Sequence, residues 1–172
     1  YSSSGSDEDY ILLDSTTENS YDHQGLSSFK GSYRISAIDR SFNESGRSNP
    51  LMFDNCPNFL LPNVFTPNGD GINDVFTPYY NGANQQIGNF DNSNCPRFVQ
   101  DVQFEVFNRQ GKRVFDLSEA TEQSVLINWE GRTNSGVELP AGTYYYLAVV
   151  TFDVLDPEQQ EKEFRGWVQL MR

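Results

Sequence analysis

Apolar and polar residues alternate with a period of two along much of this chain, and that repeat selects strands over helices. In "VQFEVFN", Val102, Phe104 and Val106 share one face while Gln103 and Glu105 share the other, as a strand with one wet side requires. "NRQG" at 108–111 predicts a turn into "KRVFD", with Gly111 at the position that tolerates positive φ. "RTNSGVELPAG" reads as a long connection of turn formers, followed by "TYYYLAVVTFDV". Apolar or aromatic groups on both faces of that segment predict a long central strand. "LDPEQQ" turns the chain again, and "EKEFRGWVQLM" returns beside the long strand. About seven short strands separated by turns suggest two packed sheets.

The chain has 172 residues, with 13 Phe and 9 Tyr to fill a core. Twelve basic against 24 acidic residues give a formal charge of −12, which repels phosphate backbones and anionic lipid. Nucleic acid is therefore not an expected partner. No apolar run approaches the roughly 18 residues of a spanning helix, and "YSSSGSDEDY" lacks the basic-then-apolar character of a signal peptide. Direct membrane insertion is not expected. Cys56 in "DNCPN" and Cys95 in "SNCPR" lie in loop-like surroundings, and a disulfide between them is expected. It would close a loop of about 39 residues, with a stabilisation of about 4 kcal/mol in the entropy model and an oxidising compartment implied. His23 is the single histidine, so four zinc ligands cannot be assembled and neither cysteine has a basic partner nearby. Catalysis is not expected.

The first fifty-five residues have a different texture. "YILLDSTTENSYDHQGL" leads through a polar link to "SYRISAIDRSFNESGRSNPLMF", which shows strand, loop, strand and short strand. Roughly residues 8 to 54 resemble the second half of a fibronectin type III domain, with "SYRISAIDRSFNES" as its penultimate strand and loop and "NPLMF" as its last strand. The resemblance implies that the earlier strands precede Tyr1 in a longer protein. The organisation expected is a partial fibronectin type III-like β-domain over residues 1–55, then an all-β, immunoglobulin-like β-sandwich of about seven strands over 56–172.

"PNVFTPNGDGIND" at 62–74 sets a strand fragment against a run of Asn, Gly and Asp. Two readings of its oxygen-rich loop stay open. Asn68, Asp70 and Asp74 could supply a water-rich calcium site, though an EF-hand frame counted from Asn68 places Tyr79 where its glutamate belongs. Alternatively, Asn68, Asp70, Asn73 and Asp74 form Asx-type turns, with Gly69 and Gly71 permitting the curvature. No other cofactor is expected.

A third reading rests on resemblance. "LPNVFTPNGDGINDVF", "FEVFNRQGKRVF", "INWEGRTNSGVELPAGTYYYLAVV" and "FRGWVQLMR" are, in that order and spacing, similar to the gliding-motility-associated C-terminal domain of Bacteroidetes, the type B sorting domain of the type IX secretion system. The match covers about residues 59 to 172. It departs from the family pattern at Gln110, where Trp is usual, and at Glu130, where Asp is usual. The resemblance implies a non-catalytic export address on a large secreted or cell-surface protein such as an adhesin. That cargo reaches the periplasm by an ordinary signal and crosses the outer membrane after a translocon and its barrel-shaped shuttle recognise the folded domain.

Two contact surfaces are expected. One is the loop of Pro67, Asn68, Gly69, Asp70, Gly71, Asn73 and Asp74. The other is the terminal strand, where Gly166 admits a second backbone and Val168, Leu170 and Arg172 meet the receptor. A bulge at Gly166, with Val168 and Leu170 as core, is the alternative. The rival function is a carbohydrate-binding or adhesion module, with Tyr79 and Tyr80 or Tyr144 to Tyr146 as a stacking platform.

Overall fold

The computed structural model describes residues 2–3, 10–78, 95–119 and 127–172. The chain is all-β apart from a 3₁₀ turn at Leu117–Glu119 and one helical turn at Pro157–Gln160, among the described residues. It divides into two compact units. One comprises Tyr1–Asn55 with Val154–Pro157, the other Cys56–Asp153 with Glu158–Arg172.

The first unit carries a three-stranded antiparallel sheet of β1 (Ser2–Ser3), β2 (Gly31–Tyr33) and β3 (Leu51–Phe53), in that order. Gly31 faces Phe53 and Tyr33 faces Leu51. The segment between β2 and β3 is shorter in regular structure than its sequence suggests, with one bridge between Ile38 and Glu44. Asp39 accounts for this. Its carboxylate accepts the amides of Ser41 and Asn43 at 2.7 and 2.9 Å, which curls the chain and holds Phe42 at φ 64°. Residues 154–157 belong to this unit because the Asp54 carboxylate accepts the amides of Leu155 and Asp156 at 2.8 and 3.0 Å.

The second unit is sandwich-like. Its main layer is a five-stranded sheet in the order β4 (Val64–Phe65), β8 (Glu161–Leu170), β7 (Gly142–Phe152), β5 (Val99–Phe107), β6 (Arg113–Asp116). The apolar "TYYYLAVVTF" segment is the middle strand, as its two-faced hydrophobicity predicts. The 108–111 turn joins β5 to β6, with Gly111 at φ 76° and the Asn108 side chain accepting the amides of Gln110 and Lys112 at 3.0 Å. Among the described residues, the opposing layer is built from bridges rather than long ladders: Asn58 with Arg97, Phe76 with Trp129, and Arg132 with Glu138. Its segments are crowded with Pro, Gly and Asn, which cannot sustain a ladder.

Register sets the core. Phe104 lies opposite Ala148 and Ala148 opposite Phe164; Val106 lies opposite Tyr146 and Tyr146 opposite Gly166; Tyr144 lies opposite Val168. These even-numbered residues face inward, where Phe65 at the end of β4 joins Phe59, Phe76 and Trp129 of the opposing layer. Trp129 is 1% exposed and donates its indole N–H to the Arg132 carbonyl at 2.8 Å.

The disulfide expected between Cys56 and Cys95 is not formed; both are free thiols. The antiparallel bridge of Asn58 with Arg97 explains why. Each cysteine lies two residues before its bridge partner, so the two run away from the bridge in opposite directions instead of meeting across it.

Candidate functional site

Both ends of the "TPNGDGIND" loop are anchored in the core. Phe65 precedes it and Phe76 follows it, both fully buried, with ring centroids 5.9 Å apart. Between them the chain closes on itself through the Thr66 amide, which donates to the Asn73 carbonyl at 2.8 Å. Pro67 is half-buried, while residues 68–73 are exposed.

The loop is held by its own polar side chains. Asp74 accepts the Gly69 amide on Oδ1 at 2.6 Å and the Gly71 amide on Oδ2 at 2.7 Å. Asp70 accepts the Ile72 amide at 2.8 Å and the Asn68 side-chain amide at 2.9 Å, and Asn68 in turn accepts the Asp70 amide at 3.1 Å. These are the Asx turns anticipated as one reading of the loop. Gly69 at φ 79°, Gly71 at φ 83° and Asn73 at φ 54° supply the left-handed residues that such winding needs. A cation at Asn68, Asp70 and Asp74 would have to compete with these hydrogen bonds. Among the described residues, no three His, Cys, Asp or Glu side chains are grouped so as to hold a metal ion.

The Gly69 and Gly71 amides hold the Asp74 carboxyl below its ordinary value of 3.8. A carboxyl depressed in the folded state stabilises the fold fully above its unfolded value, and that contribution is lost as pH falls through the folded one. Asp74→Asn offers a single acceptor oxygen for two amides. The variant should melt below the wild type at pH 7, and the two melting curves should converge below about pH 3. Equal melting temperatures at neutral pH would show that the loop does not depend on this carboxylate.

The terminal strand meets the loop. β4 runs parallel to the end of β8, pairing Val64 with Gln169 and Phe65 with Leu170, and the Met171 amide donates to the Phe65 carbonyl at 3.1 Å. The start of the loop and the C-terminus therefore lie at the same end of the sheet. Arg172 is tied down there. Its guanidinium donates to the Gly131 carbonyl at 3.3 Å and lies 3.4 Å from the Glu138 carboxylate, so it joins the "WEGR" turn to the chain end.

Two of the residues expected to meet a receptor are placed in the interior. Val168 and Leu170 are 0% exposed, and their side chains are not open in the folded domain. Gly166 is not an approach point for a second backbone on its inner side. The Tyr146 ring lies over it so closely that an added Cβ would stand 2.5 Å from the hydroxyl oxygen. The residues that β8 presents outward are the opposite set, Arg165, Trp167 and Gln169. Sequence reasoning missed them because both phases of "EFRGWVQL" contain apolar groups. The same alternation splits Tyr144 to Tyr146: Tyr144 is buried, with its hydroxyl donating to the Pro140 carbonyl at 2.8 Å, and Tyr145 points outward. They form no common platform. Tyr79 and Tyr80 lie outside the described residues.

No curated protein matches the chain. Residues 59–170 match the family model described as the CHU_C type IX secretion signal domain, which spans the loop, the five-stranded sheet and the terminal strand. Such a domain is a non-catalytic C-terminal signal for export across the outer membrane to the cell surface or beyond. The chain belongs to the CHU_C type IX secretion signal domain family.

Proposed function

We propose that the unit of residues 56–172 is read, in its folded form, by the type IX translocon and by a barrel-shaped shuttle of the outer membrane. The address is a rigid shape and no reactive group takes part. The observation that carries this reading is the joining of the exposed Asx-wound loop to the chain end by the Phe65–Leu170 pairing, within a segment that matches a secretion signal family. A loop pinned between two buried phenylalanines keeps one conformation, which lowers the ordering cost that a receptor must overcome. The preceding unit is the last part of a fibronectin type III-like module of the cargo. Its exposed Ile35, Leu51 and Met52 are the residues that earlier strands of such a module would cover.

The test fuses the full chain behind a fluorescent reporter with an ordinary export signal, in a gliding bacterium that has the type IX system. The reporter is expected in the medium or on the cell surface, and in the periplasm of a strain lacking the translocon. A folded fusion held in the periplasm of the competent strain would refute the reading.

A further inference from the structure

One edge of the five-stranded sheet is only partly covered. β8 pairs with β7 along its whole length, Glu161–Leu170, without a shift in register, while β4 reaches it only at Gln169 and Leu170. On that side the amides of Gln169 and Met171 donate to the Asn63 and Phe65 carbonyls. Backbone groups alternate sides along a strand, so the odd-numbered residues of β8 all aim away from β7. Glu161, Glu163, Arg165 and Trp167 therefore turn four N–H and four C=O groups to an edge where, among the described residues, no backbone partner meets them. All four of these residues are exposed.

A row of this kind is complemented by another extended backbone, and the side chains beside it select which one. A second copy of β8, running antiparallel across a two-fold axis, bonds only where odd residues face odd residues. With the axis through Phe164, Glu163 lies opposite Arg165 of the second copy, Arg165 opposite its Glu163, and Trp167 opposite its Glu161. Every open group is then used, because Phe164 is the midpoint of the stretch 161–167. Unlike charges meet twice. Moving the axis by one residue sets Glu163 against Glu163 or Arg165 against Arg165, and moving it two toward the start of the strand sets Glu161 against Glu163. Moving it two toward the end runs into β4, which already pairs with Gln169. Charges that commonly guard a sheet edge against chance pairing here admit a single register. Arg165 already pairs with Glu163 within one chain, so the two-fold contact joins two such pairs into a ring of alternating charge. Phe164, half-buried against Phe59, meets its own copy at the close, non-hydrogen-bonded position.

We infer that the chain self-associates, two copies joining β8 to β8 about Phe164 so that their two sheets become one. The inference goes beyond the secretion reading and does not depend on it. An edge this short gives a contact at the small end of protein interfaces, and the net charge of −12 opposes it. The dimer is therefore weak, with a dissociation constant of about 10–100 μM at ~0.15 M salt.

The test is sedimentation equilibrium of the full chain between about 1 and 500 μM, with a melting temperature for each variant. The average mass should rise from that of one chain toward that of two. Glu163→Arg alone and Arg165→Glu alone each set like charges opposite one another and should weaken the dimer about fivefold or more. An equimolar mixture of the two single variants should associate as the wild type does, because each supplies the charge that the other lacks. Amide hydrogen exchange followed by nuclear magnetic resonance needs no substitution. The amides of Glu163 and Arg165 should exchange freely in dilute solution and about threefold or more slowly at the highest concentration, while that of Gln169, already bonded to Asn63, should not change. Should a single variant fail to fold, this measurement decides the matter. A chain that remains a monomer at about 500 μM would overturn the inference, as would folded single variants that weaken the dimer less than about fivefold. The same holds for single variants that stay monomeric when mixed, and for a dimer in which the Glu163 and Arg165 amides keep the monomer's exchange rate.

Discussion

Replacing Trp129 with alanine is expected to destabilise the second unit by about 3–5 kcal/mol. The indole is 1% exposed and is packed by Phe65, Phe76 and Tyr144, at centroid distances of 5.2, 6.2 and 5.8 Å. Truncation opens a cavity at the junction of the two layers, and it orphans the Arg132 carbonyl that accepts the indole N–H. The backbone around it cannot collapse inward easily, because Trp129 and Phe76 exchange both amide bonds of their bridge, at 2.8 and 3.1 Å. Domains of this size hold only about 5–15 kcal/mol in reserve, so the variant should unfold at much lower denaturant and its export should fall in parallel. Trp129→Phe keeps most of the volume and loses the hydrogen bond, at a cost of about 1–2 kcal/mol. Urea unfolding followed by far-ultraviolet circular dichroism measures both. A loss below about 1 kcal/mol for the alanine variant would show that the tryptophan does not join the layers.

The second large effect is expected at Gly131, one residue beyond the same motif's Glu130. Gly131 sits at φ 74°, where a side chain costs about 1–2 kcal/mol. An added Cβ would also stand 2.5 Å from Leu170 Cδ1 and 3.3 Å from Phe65 Cζ. Neither neighbour can withdraw, since Leu170 is 0% and Phe65 1% exposed, and overpacking of this kind adds about 1–3 kcal/mol. Gly131→Ala should therefore cost about 2–5 kcal/mol in total. It should also loosen the chain end, because the Gly131 carbonyl accepts from Arg172. Gly69→Ala separates the two causes. Its φ is 79°, but nothing lies within 4 Å of an added Cβ, so only the conformational cost of about 1–2 kcal/mol applies. Equal losses at the two glycines, read from the same unfolding curves, would rule out the clash with Leu170.

Several features of the site were legible before the fold was seen. The "NGDGIND" segment announced a tightly wound, exposed loop, because only glycine and asparagine accept repeated left-handed residues and only short polar side chains can bond their own backbone. Gly111 and the "NRQG" turn followed from the same local rule. The terminal strand was visible as a strand, but the sequence left open whether Val168 and Leu170 face a receptor or the core, and the structure buries both. Trp167 on one face and Val168 with Leu170 on the other are all apolar, so hydrophobicity could not tell inside from outside. Gly166 looked like an opening for a partner, yet the opposing strand fills it with Tyr146.

Sequence alone determined the β character of this chain, the central place of the "TYYYLAVVTF" strand, the turn glycines, and the family to which residues 59–170 belong. These are matters of local backbone preference and of side-chain period, which a single segment carries within itself. Only the tertiary structure decided that the loop and the chain end share one end of the sheet, that Arg172 is held by Glu138, that Cys56 and Cys95 stay apart, and that Tyr145 and Trp167 face water. Each of these depends on register between strands distant in the chain, and a slip of one residue would exchange the two faces without altering any local preference.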